Sequence, residues 1–143
     1  MNFTSTEDVR EKEKKSDYFE FVNSVTSSFS KEKDSFLKRV DELSNNVNVP
    51  RLLTAAIGLN DESGEFASLV KKIVFHGKEL NEENILHMKK ELGDIMWYLA
   101  NACIALNIKS FDEIINLNME KLRARYGDSF SVEKSEKRRE GDV

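Results

Sequence analysis

A chain of 143 residues, 39% hydrophobic and 34% charged, is long enough for one hydrophobic core and has the composition of a soluble helical protein. Its net charge of −4, with acids and bases interspersed, offers no basic face for nucleic acid or an anionic membrane. The lone cysteine, Cys103, excludes an internal disulfide and a thiolate zinc cluster and fits a reducing cytoplasm.

One proline and six glycines leave few breaks in regular structure, and strand-like alternation is scarce, so the expected fold class is all-α. Residues 1–15 read as a flexible charged arm, without the apolar segment of a signal peptide. The stretch "SDYFEFVNSVTSSF" then sets Tyr18, Phe19, Val22 and Val25 at helical spacing. Ser30 is placed to cap a second helix whose apolar face carries Phe36, Leu37, Val40 and Leu43. The asparagines of "NNVNVP" predict a turn, and Pro50 suits the first turn of a third helix that runs to His76 and stops at Gly77. Its expected buried stripe is Leu52, Ala56, Leu59, Phe66, Leu69, Val70 and Ile73. Asn81 caps a fourth helix reaching about Asn107, with Leu92, Ile95, Met96, Leu99, Cys103 and Leu106 toward the core. The longest apolar run, Ile95 to Leu106, is 12 residues with Asn101 inside it, too short to span a bilayer. Ser110 with Glu113 three residues on has the form of a capping box for a fifth helix ending near Gly127. Residues 16–127 therefore read as one helical domain, and 128–143 as an irregular tail.

The chemistry lies in two acidic pairs. At 100° per residue, Glu62 and Glu65 of the third helix are 60° apart and share one face. On the fourth helix Glu91, Asp94, Tyr98 and Asn101 fall on one stripe. Apolar neighbours flank both pairs, so the acids border the core. Two antiparallel helices would then gather four carboxylates, which repel one another and resist desolvation. A divalent cation relieves both penalties, and Mg²⁺, with its preference for hard oxygen ligands and substrate phosphates, is the apt one. A single E-x-x-E in a charged helix is usually solvated surface; two on core-bordering faces of adjacent helices are a stronger signal. A di-iron bundle needs Glu-x-x-His, and Ile73 and Asn84 stand three residues before His76 and His87. Both histidines accordingly read as ordinary surface or turn residues.

Three blocks in order, "LLTAAIGLNDESGEFASLVKKIVFHGKEL", "ELGDIMWYLANACIALNI" and "NMEKLRARYGDSFSVEKSEKR", resemble a MazG-like nucleoside triphosphate pyrophosphohydrolase across roughly residues 49 to 140. The resemblance implies an antiparallel four-helix-bundle-like core of the all-α NTP pyrophosphatase type, with additional N-terminal helices, assembled as a homodimer or homotetramer in the cytoplasm. It implies Mg²⁺-dependent cleavage of a (d)NTP to (d)NMP and pyrophosphate, with Mn²⁺ as a substitute ion. Glu62, Glu65, Glu91 and Asp94 would be the metal ligands, and Glu62 or Glu65 would position or deprotonate the attacking water. The tail departs from the family pattern: "RYGDSF" has Gly127 and Ser129 where relatives carry a proline and a Gly-Phe pair.

Substrate contacts are expected from the same faces. Asn118, Lys121 and Arg125 share a stripe of the fifth helix, where an amide and two cations suit the β- and γ-phosphates. Tyr126, which closes the family's "KLxxRY" ending, joins them. Lys72 lies on the carboxylate side of the third helix, and Lys71 points away. Tyr98 is suited to stacking on a base or sugar, and Asn101 to hydrogen bonding either. Trp97 reads as a core or interface residue; Gly58, one turn before Glu62, leaves room for a ligand or for close helix packing. Two rival functions share this pattern: a dimeric dUTPase-like hydrolase, and a non-catalytic helical dimer that binds nucleotide as a sensor or regulator.

Overall fold

The computed structural model describes residues 17–127, and these are helical with no strand among them. The fold is all-α: α1 covers residues 17–25, α2 Ser28–Lys31, α3 Lys33–Leu43, α4 Val49–His76, α5 Glu82–Ala105 and α6 Phe111–Tyr126. The expected arm at 1–15 and tail at 128–143 lie outside the described residues. The chain divides into two compact units between Asn45 and Asn46.

In the first unit, α2 and α3 pack together. Ser30 does not cap a helix; it lies inside the single turn of α2. The residue before α3 is Glu32, in an extended conformation; its side chain caps no backbone N–H but accepts from Ser35 Oγ at 2.9 Å. Of the four apolar residues expected on one face, Val40 and Leu43 are half-buried, while Phe36 and Leu37 remain 42% and 47% exposed, because short helices bury little apolar surface within their own unit.

The second unit is built on α4 and α5, which pack along their lengths. Asn48 caps α4 by accepting the Arg51 N–H at 3.1 Å, with proline in the first turn. At the far end Gly77 takes a left-handed conformation (φ 69°), and its N–H and that of Lys78 return to the Lys72 carbonyl. Asn81 caps α5 through the Asn84 N–H. Helix α5 ends in a Schellman motif: Asn107 is left-handed (φ 61°), its N–H bonds the Ile104 carbonyl, and the Ile108 N–H bonds the Cys103 carbonyl at 2.9 Å. The Asn48 N–H donates to the Ala105 carbonyl at 3.0 Å, and Asn107 Nδ2 donates to the Asn46 carbonyl at 3.1 Å. The start of α4 is thereby fastened to the end of α5, and the hairpin is antiparallel.

The buried and half-buried positions define the seam. On α4 they include Ala55, Leu59, Glu62, Phe66, Leu69 and Ile73; on α5 Asn84, Met88, Glu91, Ile95, Tyr98, Ala102 and Ala105. Both series step by alternating threes and fours, the period of a coiled-coil interface. On α4 this seam keeps Leu59, Phe66, Leu69 and Ile73 of the expected stripe, with Leu52 and Val70 half-buried; the differences are Ala56 and three residues of α5 and its C-cap. Ala55 is fully buried where Ala56 was expected. Leu92, Met96 and Leu106, expected in the core, are 46%, 57% and 45% exposed. Glu62 and Glu91 occupy seam positions, which rotates those leucines and the methionine outward.

Helix α6 starts at Ser110, whose hydroxyl accepts the Asp112 N–H and donates to the Asp112 carboxylate, both at 3.0 Å. Asp112, not the expected Glu113, therefore closes the cap. Among the described residues no helix is long and apolar enough to cross a membrane.

Candidate metal centre

Glu62 and Glu65 come from the middle of α4, and Glu91 from the facing turn of α5. One carboxylate oxygen from each lies within 4.8 Å of the others. The three differ in environment: Glu65 is exposed, Glu62 half-buried, and Glu91 only 5% exposed. Asp94 lies one turn further along α5, outside that triad. It is still close enough that its negative charge is the largest charge effect on Glu62. Partial burial first, then the charges of Asp94, Glu65, Glu91 and Asp61, hold the Glu62 carboxyl above the ordinary value of 4.5.

Such a set is unstable as bare anions. Like charges at this separation repel, and the seam screens them less than water would. The oxygens are hard donors at a spacing one small cation can bridge, so the residues present fit a divalent ion. No nitrogen or sulfur ligand stands within the triad, which favours Mg²⁺, Mn²⁺ or Ca²⁺ over zinc.

Glu91 has a partner the sequence reading missed. His87 Nε2 lies 2.9 Å from Glu91 Oε1. The histidine read as an ordinary surface residue is half-exposed, but its Nε2 lies against the most buried acid of the cluster. Its spacing of four residues before Glu91 was the available signal.

Other candidates are placed variously. A Cβ at Gly58 would collide with the Tyr98 ring, so the space at Gly58 is used for helix packing and the ring lies across α4. Tyr98 also meets Trp97 edge-on, with centroids 4.8 Å apart. Trp97 is 58% exposed and is not in the core of this chain. Asn101 Nδ2 donates to the Trp97 carbonyl at 3.0 Å. Lys72 is exposed near the end of α4. Asn118, Lys121, Arg125 and Tyr126 lie on α6, which does not pack along α4 or α5. Arg125 stands 5.8 Å over the Tyr126 ring.

Residues 51–130 match the MazG nucleotide pyrophosphohydrolase domain. That span holds α4 from its third residue, α5, α6 and all four acids, and it is more than half of the chain. The chain belongs to the MazG family. It is also 34% identical over 80 residues to the Gene 37 protein of Mycobacterium phage L5, covering 54% of this chain and 68% of the phage protein. No solved structure matches it. MazG membership makes nucleotide pyrophosphohydrolysis the general class of activity and a hydrolase of nucleoside triphosphates the enzyme type. The MazG domain is all-α and generally depends on a divalent metal, consistent with this helical hairpin and its acidic triad.

Proposed function

We propose that the protein is a Mg²⁺-dependent pyrophosphohydrolase that cleaves a (d)NTP between the α- and β-phosphates, releasing (d)NMP and pyrophosphate. The carrying observation is the convergence of Glu62, Glu65 and Glu91 to within 4.8 Å in the seam of a MazG hairpin. These residues, with Asp94 beside them, would hold the cation, with Mn²⁺ as a substitute. Bound there, the ion supplies neutralising charge for the polyphosphate and for the leaving pyrophosphate.

The chain's own groups supply the rest. Water attacks the α-phosphorus, the bond from that phosphorus to the bridging oxygen breaks, and pyrophosphate leaves. Glu62 or Glu65 takes the water's proton. Tyr98 and Asn101 are the residues for base and sugar. Lys72 and the Asn118, Lys121, Arg125 and Tyr126 group are those for the outer phosphates.

A homo-oligomer is part of this reading. Ile57, Val74, Phe75, Met96, Trp97 and Leu117 are each more than half exposed on the second unit, and a second copy would cover such surface. Nucleotide and a second copy are the expected partners, with no role for nucleic acid or membrane. Buried Cys103 suits a reducing, cytoplasmic setting.

The test is incubation of pure protein with Mg²⁺ and a panel of NTPs and dNTPs, dUTP among them, with product analysis. Monophosphate and pyrophosphate should appear and vanish in excess chelator. Turnover of dUTP alone would make the protein dUTPase-like; binding without turnover would make it a sensor. Full activity in chelator would overturn the metal reading. Light scattering at micromolar protein should give at least twice the chain mass.

A further inference from the structure

We propose that His87 is a positioning residue of the cation site: its Nε2–H holds the Glu91 carboxylate in the orientation in which it meets Glu62 and Glu65. The inference rests on the metal reading above. Glu91 is the one acid of the triad that water cannot serve, because its side chain is only 7% exposed. A buried carboxylate without a donor is costly, and two other carboxylates lie within 4.8 Å of it. His87 Nε2, 2.9 Å from Glu91 Oε1, is the group placed to answer that need from one helical turn away.

The geometry also says what kind of role this is. With Nε2 committed to Glu91, the imidazole touches the site through the carboxylate rather than as a ligand in its own right. A hydrogen bond to one carboxylate oxygen fixes the carboxylate plane and leaves its remaining lone pairs to the cluster. Donors behind ligating groups act this way, and their loss typically weakens metal binding by about 10- to 100-fold. The His87 side chain is 51% exposed, so little packing depends on it.

The experiment measures Mn²⁺ binding by calorimetry to the full chain without nucleotide, for the parent, His87→Ala, His87→Asn and His87→Gln, with helicity and metal-free melting for each. Glutamine carries an amide N–H about as far from the backbone as Nε2; asparagine is too short to reach. His87→Ala and His87→Asn should bind Mn²⁺ about 10- to 100-fold more weakly, and His87→Gln should return to within about threefold of the parent. Parent-like affinity in His87→Ala would overturn the proposal, as would a His87→Gln no better than His87→Asn. A parent that binds no Mn²⁺ would overturn the metal site itself and the proposal with it. That outcome is distinct from a binding parent whose variants do not differ.

Discussion

Replacing Gly58 by alanine puts a methyl group where the Tyr98 ring lies, and the ring must leave for the methyl to enter. Overpacking of this kind costs about 1–3 kcal/mol. Alanine in mid-helix simultaneously gains about 1 kcal/mol over glycine. Gly58→Ala alone should therefore destabilise by roughly 0–2 kcal/mol. In a Tyr98→Ala background the obstacle is gone, and the same substitution should stabilise by about 1 kcal/mol. The informative quantity is the coupling between the two positions, about 1–3 kcal/mol, read as a change of sign. Urea unfolding of the four proteins of the cycle at one fixed protomer concentration measures it, since any self-association would otherwise move the midpoints. Additive effects, with Gly58→Ala equally costly in both backgrounds, would refute the reasoning and mean that something other than Tyr98 fills the space.

Glu62→Gln should cut turnover by about 10²-fold while raising the melting temperature of the metal-free protein at neutral pH, because it removes one of the repelling charges; a lower metal-free melting temperature would count against the repulsion. The pH dependence follows from the same shift. Glu62 has a folded pKa above its unfolded value of about 4.5, so its contribution to stability is complete below 4.5 and is lost as pH rises through the folded pKa. The parent and Glu62→Gln stability curves, measured without metal, should converge in acid and separate upward; parallel curves would refute this. Gly64 and Gly93 are helical, and a Cβ at either meets open space, so Gly64→Ala and Gly93→Ala should each stabilise by about 0.5–1 kcal/mol; destabilisation would reveal a partner surface there. If Arg125 grips the outer phosphates, Arg125→Ala should lower kcat/KM for triphosphates by roughly 10- to 150-fold, the equivalent of about 1.5–3 kcal/mol, with base preference unchanged. Lys71→Ala, on an exposed face away from the acids, is the control and should be nearly silent.

The helices α4, α5 and α6 were legible in the sequence because capping residues mark their limits: Asn81, Ser110, Gly77 and the Asn48–Pro50 start all stand where the structure uses them. The phase of the seam was less legible. Hydrophobicity drew the stripe through Ala56, Leu92 and Met96, whereas the structure admits Glu62 and Glu91 to the seam and turns those residues out. Apolar periodicity located Leu59, Phe66, Leu69, Ile73 and Ile95 of the seam but passed over the positions held by carboxylates. The acidic pairs themselves were readable from spacing, since three residues on a helix fix a shared face. His87 was not legible because it does not fit the Glu-x-x-His pattern of a ligand; its approach to Glu91 follows from the four-residue spacing. The role of Gly58 was ambiguous because only the facing helix decides between ligand and ring, and the sequence does not give the register of that helix.

The α4–α5 hairpin is tied at both ends, by the turn at 77–81 and by the Asn48–Ala105 and Asn107–Asn46 bonds, with the acids between the two ties. The carboxylates therefore cannot relieve their repulsion by splaying the helices. Their donor oxygens are gathered in advance, and an arriving ion spends little chain entropy on assembling its own site. The repulsion confined between the ties lowers the stability of the ion-free protein and raises affinity for the ion by the same free energy. Cutting one tie, for example by weakening the Asn107 contact, should thus loosen ion binding while easing the strain on the ion-free hairpin, two changes that ordinary damage to a fold would not produce together.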